Sequence, residues 1–117
     1  MSQPRFQLEP QNLARHLHEA LILAVLAGGP RHGYQLALEI EQRSEGFFSL
    51  NHGTLYPTLH KLEKSGYIQG AWSAEGPGRR RRQYLLTRKG RQYAAQQLGG
   101  WKLFAQRLFD ILGEVAR

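Results

Sequence analysis

Apolar positions along the 117-residue chain recur at helical spacing in several separate stretches. Leu13, Leu17, Leu21 and Ala24 predict a first helix over 13–27, with Asn12 available as its cap and Gly28-Gly29-Pro30 as its stop. Its last turns, 20–27, are apolar on nearly all sides, which predicts burial against other elements. A second helix is expected over 32–44, with Tyr34, Ala37, Ile40 and Glu41 around one side and Gly46 behind it. Phe47, Phe48 and Leu50 then form a short connector, expected to be extended and packed on the core.

Asn51 offers an N-cap for a third helix that ends at Gly66. Leu55, Leu59 and Leu62 sit at i, i+4 and i+7 and form one buried stripe. The opposite side carries Gly53, Thr54, Tyr56, Pro57, His60, Lys61 and Lys64, which are hydrogen-bonding or cationic rather than aliphatic. Pro57 lies inside this helix and removes a backbone donor, so a kink or a loosened first turn is expected.

The pattern then changes period. Residues 67–73 have aromatic and β-branched content, Gly76-Pro77-Gly78 turns the chain, and residues 82–86 return it, which is the signature of a hairpin. Thr87 can cap a last helix. Within that helix Ala94, Leu98, Trp101, Ala105, Leu108, Leu112 and Val115 alternate spacings of four and three, the seam of a coiled coil, and Phe104 and Ile111 widen it. Gly99-Gly100 weakens the helix by about 2 kcal/mol relative to alanines, marking a kink or a place of close approach.

The fold class that follows is mainly α with a small β-hairpin. A polar arm, 1–10, precedes a winged helix-turn-helix over 11–88, and a long C-terminal helix over 89–117 has a stripe too wide for so small a domain to cover. That stripe predicts a homodimer through Leu98, Trp101, Phe104, Ala105, Leu108, Ile111, Leu112 and Val115, with Leu13 and Leu17 of the first helix facing it.

Charge sharpens this layout. The chain carries a formal charge of +7, and 9 of its 16 basic residues fall between Lys61 and Arg91 against only Glu63 and Glu75. Localised charge of this kind is the footprint of a nucleic-acid interface. Arg79, Arg80, Arg81 and Arg82 sit on the hairpin turn and its return strand, where they read as a phosphate clamp, and Arg80 or Arg81 could enter the minor groove. Gly53, Thr54, Tyr56, Pro57, His60 and Lys61 are the side of the third helix expected to lie in a major groove about 12 Å wide. Tyr56 reads either as a core aromatic beside Leu55 or as a phosphate contact, and its offset from the buried stripe favours the second.

Other classes fit poorly. The chain has no cysteine, so disulfides and thiolate zinc sites are excluded. His16 and His18 point apart on a helix, and His32, His52 and His60 lack a carboxylate pair to complete a metal or catalytic set. The reading is of a non-enzyme with no cofactor and no metal. The start lacks the layout of a signal peptide, and the longest apolar run is far short of the roughly 20 residues of a membrane span, so a cytoplasmic protein with no membrane partner is expected.

Three segments resemble the PadR family of transcriptional repressors. Gly29-Pro30-Arg31-His32-Gly33-Tyr34 is similar to that family's GPxHGY opening of helix two. Residues 53–68, which begin Gly53-Thr54-Leu55-Tyr56-Pro57, resemble its GTLYPxLxxLExxGxI recognition helix. Residues 78–90 resemble its GRxRKYYxLTxxG wing, with Gln83 and Leu85 departing from the usual strand pattern and Asn51-His52 standing where a serine cap is common. The resemblance implies a double-stranded DNA partner, a pseudo-palindromic operator, a repressor role and a phosphate contact for Tyr34, whose other reading is packing under the turn.

The chain resembles the short subgroup, in which a single C-terminal helix dimerises. In similar regulators an aromatic-lined space between these helices accepts flat hydrophobic effectors, which implies Leu98, Trp101 and Phe104 as lining here. The other reading of that trio is a filled dimer core. A winged helix used for architecture or protein interaction, without operator specificity, is the alternative to a repressor.

Overall fold

The computed structural model describes residue 6, residues 8–74 and residues 80–115, with only the backbone described at 73, 74, 80, 114 and 115. A short 3-10 turn, Pro10–Asn12, leads into α1 (Leu13–Leu26), β1 (Arg31–His32), α2 (Gly33–Arg43), α3 (His52–Lys64), β2 (Ile68–Ala74), β3 (Arg80–Leu86) and α4 (Arg88–Val115). This is the winged helix-turn-helix with a long final helix that the periodicity predicts.

The apolar segment of α1 lies at the centre and packs against α2, α3 and α4. Ile22 and Leu23 from α1, Leu36 from α2, Leu55, Leu59 and Leu62 from α3, and Ile68 from β2 are fully buried together. The stripe read at i, i+4 and i+7 in α3 is therefore its core face. The connector between α2 and α3 divides: Phe48 and Leu50 pack on the core, but Phe47 is 82% exposed and does not join them.

Helix ends are set by specific side chains. Asn51 caps α3, its Oδ1 accepting from the Thr54 amide at 2.9 Å. Thr87 caps α4 by accepting from the Gly90 amide at 2.9 Å, and its own hydroxyl donates to the Gly66 carbonyl at 2.6 Å. Gly66, with φ +83°, supplies the left-handed residue that ends α3 and lets the Tyr67 amide reach back to Leu62 O at 3.0 Å. Asn12 does not cap α1; its amide donates instead to Glu9 at 3.1 Å, across the 3-10 turn. Pro57 is accommodated inside an unbroken α3.

The sheet has three antiparallel strands in the order β1-β3-β2, one more than the hairpin alone. β1 pairs Arg31 with Tyr84 and His32 with Gln83, which fastens the start of α2 to the wing. The wing itself pairs Ile68 with Leu86, Gly70 with Tyr84 and Trp72 with Arg82. His32, expected to begin the second helix, is thus in a strand with Arg31, because pairing with β3 satisfies their backbone before the helix starts.

α4 is continuous through Gly99-Gly100, so its 28 residues extend about 42 Å. A Cβ on Gly100 would lie 2.1 Å from the Phe6 ring, so the glycine makes room for the chain's own N-terminal segment. Phe6 meets Trp101 edge-on at 5.8 Å, and Trp101 meets Phe104 edge-on at 5.4 Å. Beyond Trp101 the helix leaves the body, and Leu103, Leu108, Phe109, Ile111 and Leu112 are exposed. Phe104 is exposed as well.

Candidate nucleic-acid interface

α3 buries one side and presents the other. Gly53, Tyr56, Pro57, His60 and Lys61 are exposed and Thr54 is half-buried, so all six predicted residues lie on or beside one accessible face. Thr58, between them in sequence, turns inward and donates to the Thr54 carbonyl at 2.7 Å.

Tyr56 reaches from this face to the first turn of α2. A Cβ on Gly33 would stand 2.8 Å from the Tyr56 hydroxyl, so the phenol rests directly on the Gly33 backbone. The side of the Tyr56 ring meets His52 edge-on at 5.4 Å. Tyr34, one residue after Gly33, is also exposed. Its ring is parallel to that of buried His32 at 6.1 Å, and the Arg81 guanidinium stands 4.8 Å from its centroid. The two tyrosines predicted from different motifs therefore converge where α2, α3 and the wing meet. Both phenols are at the surface, and neither is a core aromatic.

The wing arginines have different roles. Arg81 points towards Tyr34. Arg82 turns inward, where its guanidinium pairs with Glu63 on α3 and bonds the Gly70 carbonyl at 3.3 Å. Arg82, expected in a phosphate clamp, is therefore ion-paired within the fold while its side chain stays 35% exposed. The pair ties the wing to α3, and a Glu63 oxygen also accepts from the Gly70 amide at 3.2 Å. Arg79 lies outside the described residues, as do the side chains of Arg80 and Val115.

Lys61 is likewise paired within the fold while remaining half-exposed. Its ammonium donates to Glu19 of α1 at 3.2 Å, on the flank of α3 away from the wing. Glu19 is only 7% exposed and accepts a second bond from the Tyr93 hydroxyl of α4 at 3.2 Å. Burial first, and the neighbouring Glu19 carboxylate second, push the Tyr93 phenol well above its usual range. Tyr93 also stacks flat on Tyr67 at 3.8 Å.

The turn before α2 is held by charge. Arg31 donates to Glu39 at 2.8 Å and to the Gly29 and Pro30 carbonyls at 2.9 and 3.0 Å, and Arg43 pairs with the other Glu39 oxygen. The Arg31 hydrogen bond, with the charges of Arg31 and Arg43, holds the Glu39 carboxyl below its ordinary value against the opposing effect of burial.

Glu19, Glu63, Gly33 and Trp72 were not among the candidates from sequence. A lone carboxylate at the edge of the apolar run that begins with Ala20 was the available signal for Glu19. Gly33 and Glu63 stood inside the quoted motifs without a role assigned to them, and Trp72 carried only the aromatic signal of a strand.

The residues expected to line an effector space do not share one in the single chain. Leu98 borders a groove of about 450 Å³ with Leu26, Pro30, Leu85, Arg91 and Ala94. Phe104 borders another, of about 440 Å³, with Phe6, Gly100, Leu103, Leu108 and Ile111. Among the described residues no three His, Asp or Glu side chains cluster as metal ligands, and no described helix is long and apolar enough to cross a membrane.

The architecture defines a winged helix-turn-helix regulator. Residues 22–96 match the family described as the transcriptional regulator PadR-like family, and the chain belongs to it. It is a transcriptional regulator and not an enzyme. The negative transcriptional regulator PadR of Bacillus subtilis is 31% identical over 71 residues, covering 61% of this chain and 39% of that protein. Among solved structures, a transcriptional regulator from Clostridium thermocellum superimposes with a TM-score of 0.74 at 26% identity, covering 88% of this chain and 97% of the other. A protein of Streptococcus mutans does so at 0.71 and 29%, covering 96% and 94%. Bacillus subtilis PadR in complex with operator DNA matches at 0.63 and 30%, covering 70% of this chain and 46% of that one.

Proposed function

We propose that the chain is a repressor that binds a pseudo-palindromic operator in double-stranded DNA as a homodimer. The observation that carries this is the convergence of the polar face of α3, Tyr34 and Arg81 on one side of the molecule, while the aliphatic positions of α3 are all turned inward. Gly53, Thr54, Pro57 and His60 read the major groove, Tyr34 and Tyr56 bond phosphates, and the wing reaches the adjacent minor groove. The similarity to a PadR protein solved on operator DNA supports the same docking. Lys61 and Arg82 add positive potential near the DNA while holding the scaffold together.

The homodimer follows from α4. Leu108, Ile111 and Leu112 are exposed on a helix that has left its own domain, and a second copy is the natural cover for them. A two-fold dimer sets its recognition helices about 34 Å apart, one turn of the duplex. A small hydrophobic or planar effector, bound where Leu98, Trp101 and Phe104 of the paired α4 helices come together, would release the operator.

Selection of bound fragments from genomic DNA tests the reading. An enriched inverted repeat, bound about 10³-fold more tightly than random DNA, is the expected result. Absence of any enriched sequence, with equal affinity for random DNA, would leave an architectural winged helix.

A further inference from the structure

A cleft of about 500 Å³ opens between the first turn of α2, α3 and the wing. It is lined by Gly33 with the Tyr56 phenol resting on it, by Tyr34 with Arg81, and by Trp72 with Arg82. Trp72 lies on β2 opposite Arg82, on the face of the hairpin that further along carries the buried Ile68, Tyr84 and Leu86. Past Tyr84 that face opens to solvent at Trp72, which is 61% exposed. The Arg82 guanidinium, held from behind by Glu63, stands 5.6 Å from the indole centroid and fixes its place.

We propose that this cleft holds one sugar–phosphate unit of a DNA strand, with the Trp72 indole packed on the deoxyribose. The proposal rests on the DNA-binding reading above and deepens it. It assigns the wing residue Trp72 to the DNA interface, in addition to the phosphate contacts of Tyr34 and Tyr56. The chemistry of the walls fits the two halves of such a unit. Two phenol hydroxyls and the Arg81 guanidinium supply donors and charge for a phosphodiester. The Trp72 indole, lining the same cleft, presents a flat apolar face that suits a sugar. The volume lies within the roughly 300–1,000 Å³ typical of sites that enclose a small group. Trp72 thereby contributes affinity without sequence preference, because every nucleotide presents the same sugar.

The test measures Trp72→Ala, Trp72→Phe and Arg81→Ala on an operator fragment and on random DNA across a salt series. Trp72→Ala is expected to weaken both DNAs by the same factor, about five- to tenfold, with an unchanged salt slope, and Trp72→Phe to recover most of the loss. Arg81→Ala is expected to weaken both and to lower the salt slope by about 1. The Trp72 part of the fluorescence, obtained by subtracting Trp72→Phe from wild type, is expected to become less accessible to acrylamide when DNA is added. A Trp72 that only braced Arg82 would show no such protection. The proposal is overturned if wild type binds DNA while Trp72 stays equally accessible, if Trp72→Ala leaves both affinities intact, or if it weakens the operator alone, which would indicate base reading. Each of these results leaves the DNA-binding reading standing. Failure of wild type to bind either DNA overturns both.

Discussion

The buried carboxylate of Glu19 in α1 holds the ammonium of Lys61 in α3 at 3.2 Å, so the flank of the proposed recognition helix is fixed by a charge from the core. The same carboxylate takes the Tyr93 hydroxyl of α4. One residue thus links the helix proposed to read DNA with the helix proposed to pair two copies. Glu19→Gln is expected to lower stability by about 1–3 kcal/mol, since two donors lose a charged acceptor. The ammonium end of the pair is half-exposed, so Lys61→Met alone should cost less, about 1 kcal/mol. Denaturant melts of the two single variants and the double variant check this. An interaction energy near zero would show that the pair is independent of stability.

Gly33 tests the lining of the cleft. Because a Cβ there would stand 2.8 Å from the Tyr56 hydroxyl and 3.0 Å from the ring, Gly33→Ala must displace an exposed side chain rather than the core. Its φ is not in the left-handed region, so the backbone itself tolerates alanine. The expected outcome is a melting temperature within a few degrees of wild type and a DNA affinity about tenfold weaker. Tyr56→Phe keeps the ring and removes only the hydroxyl, and should cost about 1 kcal/mol of binding. Gel-shift titrations on operator DNA separate the two effects. An undiminished affinity in Gly33→Ala would remove Tyr56 from the interface.

The division between what could be read along the chain and what could not follows the range of each interaction. Leu55, Leu59 and Leu62 revealed the inner face of α3 through local periodicity, and Asn51 and Thr87 revealed two helix starts through local capping. β1 is two residues long and has no period to detect; only its pairing with residues 83 and 84 makes it a strand. Phe47 and Phe48 are chemically identical neighbours, and the turn geometry at Gly46 decides which one points inward. The arginines were recognised as cations, but Arg82 meets Glu63 across 19 positions and Lys61 meets Glu19 across 42. Composition could place the charge on one part of the chain. It could not tell which cations were committed to partners within the fold.

Glu39 gives the acid limb a specific contributor. Its folded carboxyl titrates below the usual 4.5 because Arg31 and Arg43 stabilise the ionised form. A depressed folded value means that the contribution is complete above the unfolded value and is lost as pH falls through the folded one. Wild type should therefore exceed Glu39→Gln in stability at neutral pH, with the gap closing below about pH 4.5. Thermal melts across pH 3–7 measure it. A gap that stayed constant through that range would assign the effect to packing rather than charge.

The exposed end of α4 makes the strongest demand on the assembly. Phe109 at 72% and Ile111 at 68% exposure, with Leu108 and Leu112 between the other helical turns, form an apolar surface that a monomer would leave in water. If two copies cover it, replacing Leu108 and Leu112 by glutamate places like charges across the two-fold axis and should abolish pairing. Sedimentation should then report a monomer near 13.4 kDa in place of a dimer of twice that mass. The winged helix is closed by α1, α2, α3 and the sheet, so the double variant should keep its helical circular dichroism signal. Operator affinity should fall by at least 10²-fold, because each subunit then holds a half-site alone, whereas binding to random DNA at low salt should fall far less. A double variant that remained dimeric would move the interface away from the α4 seam. One that was monomeric yet bound the operator undiminished would separate dimerisation from DNA recognition.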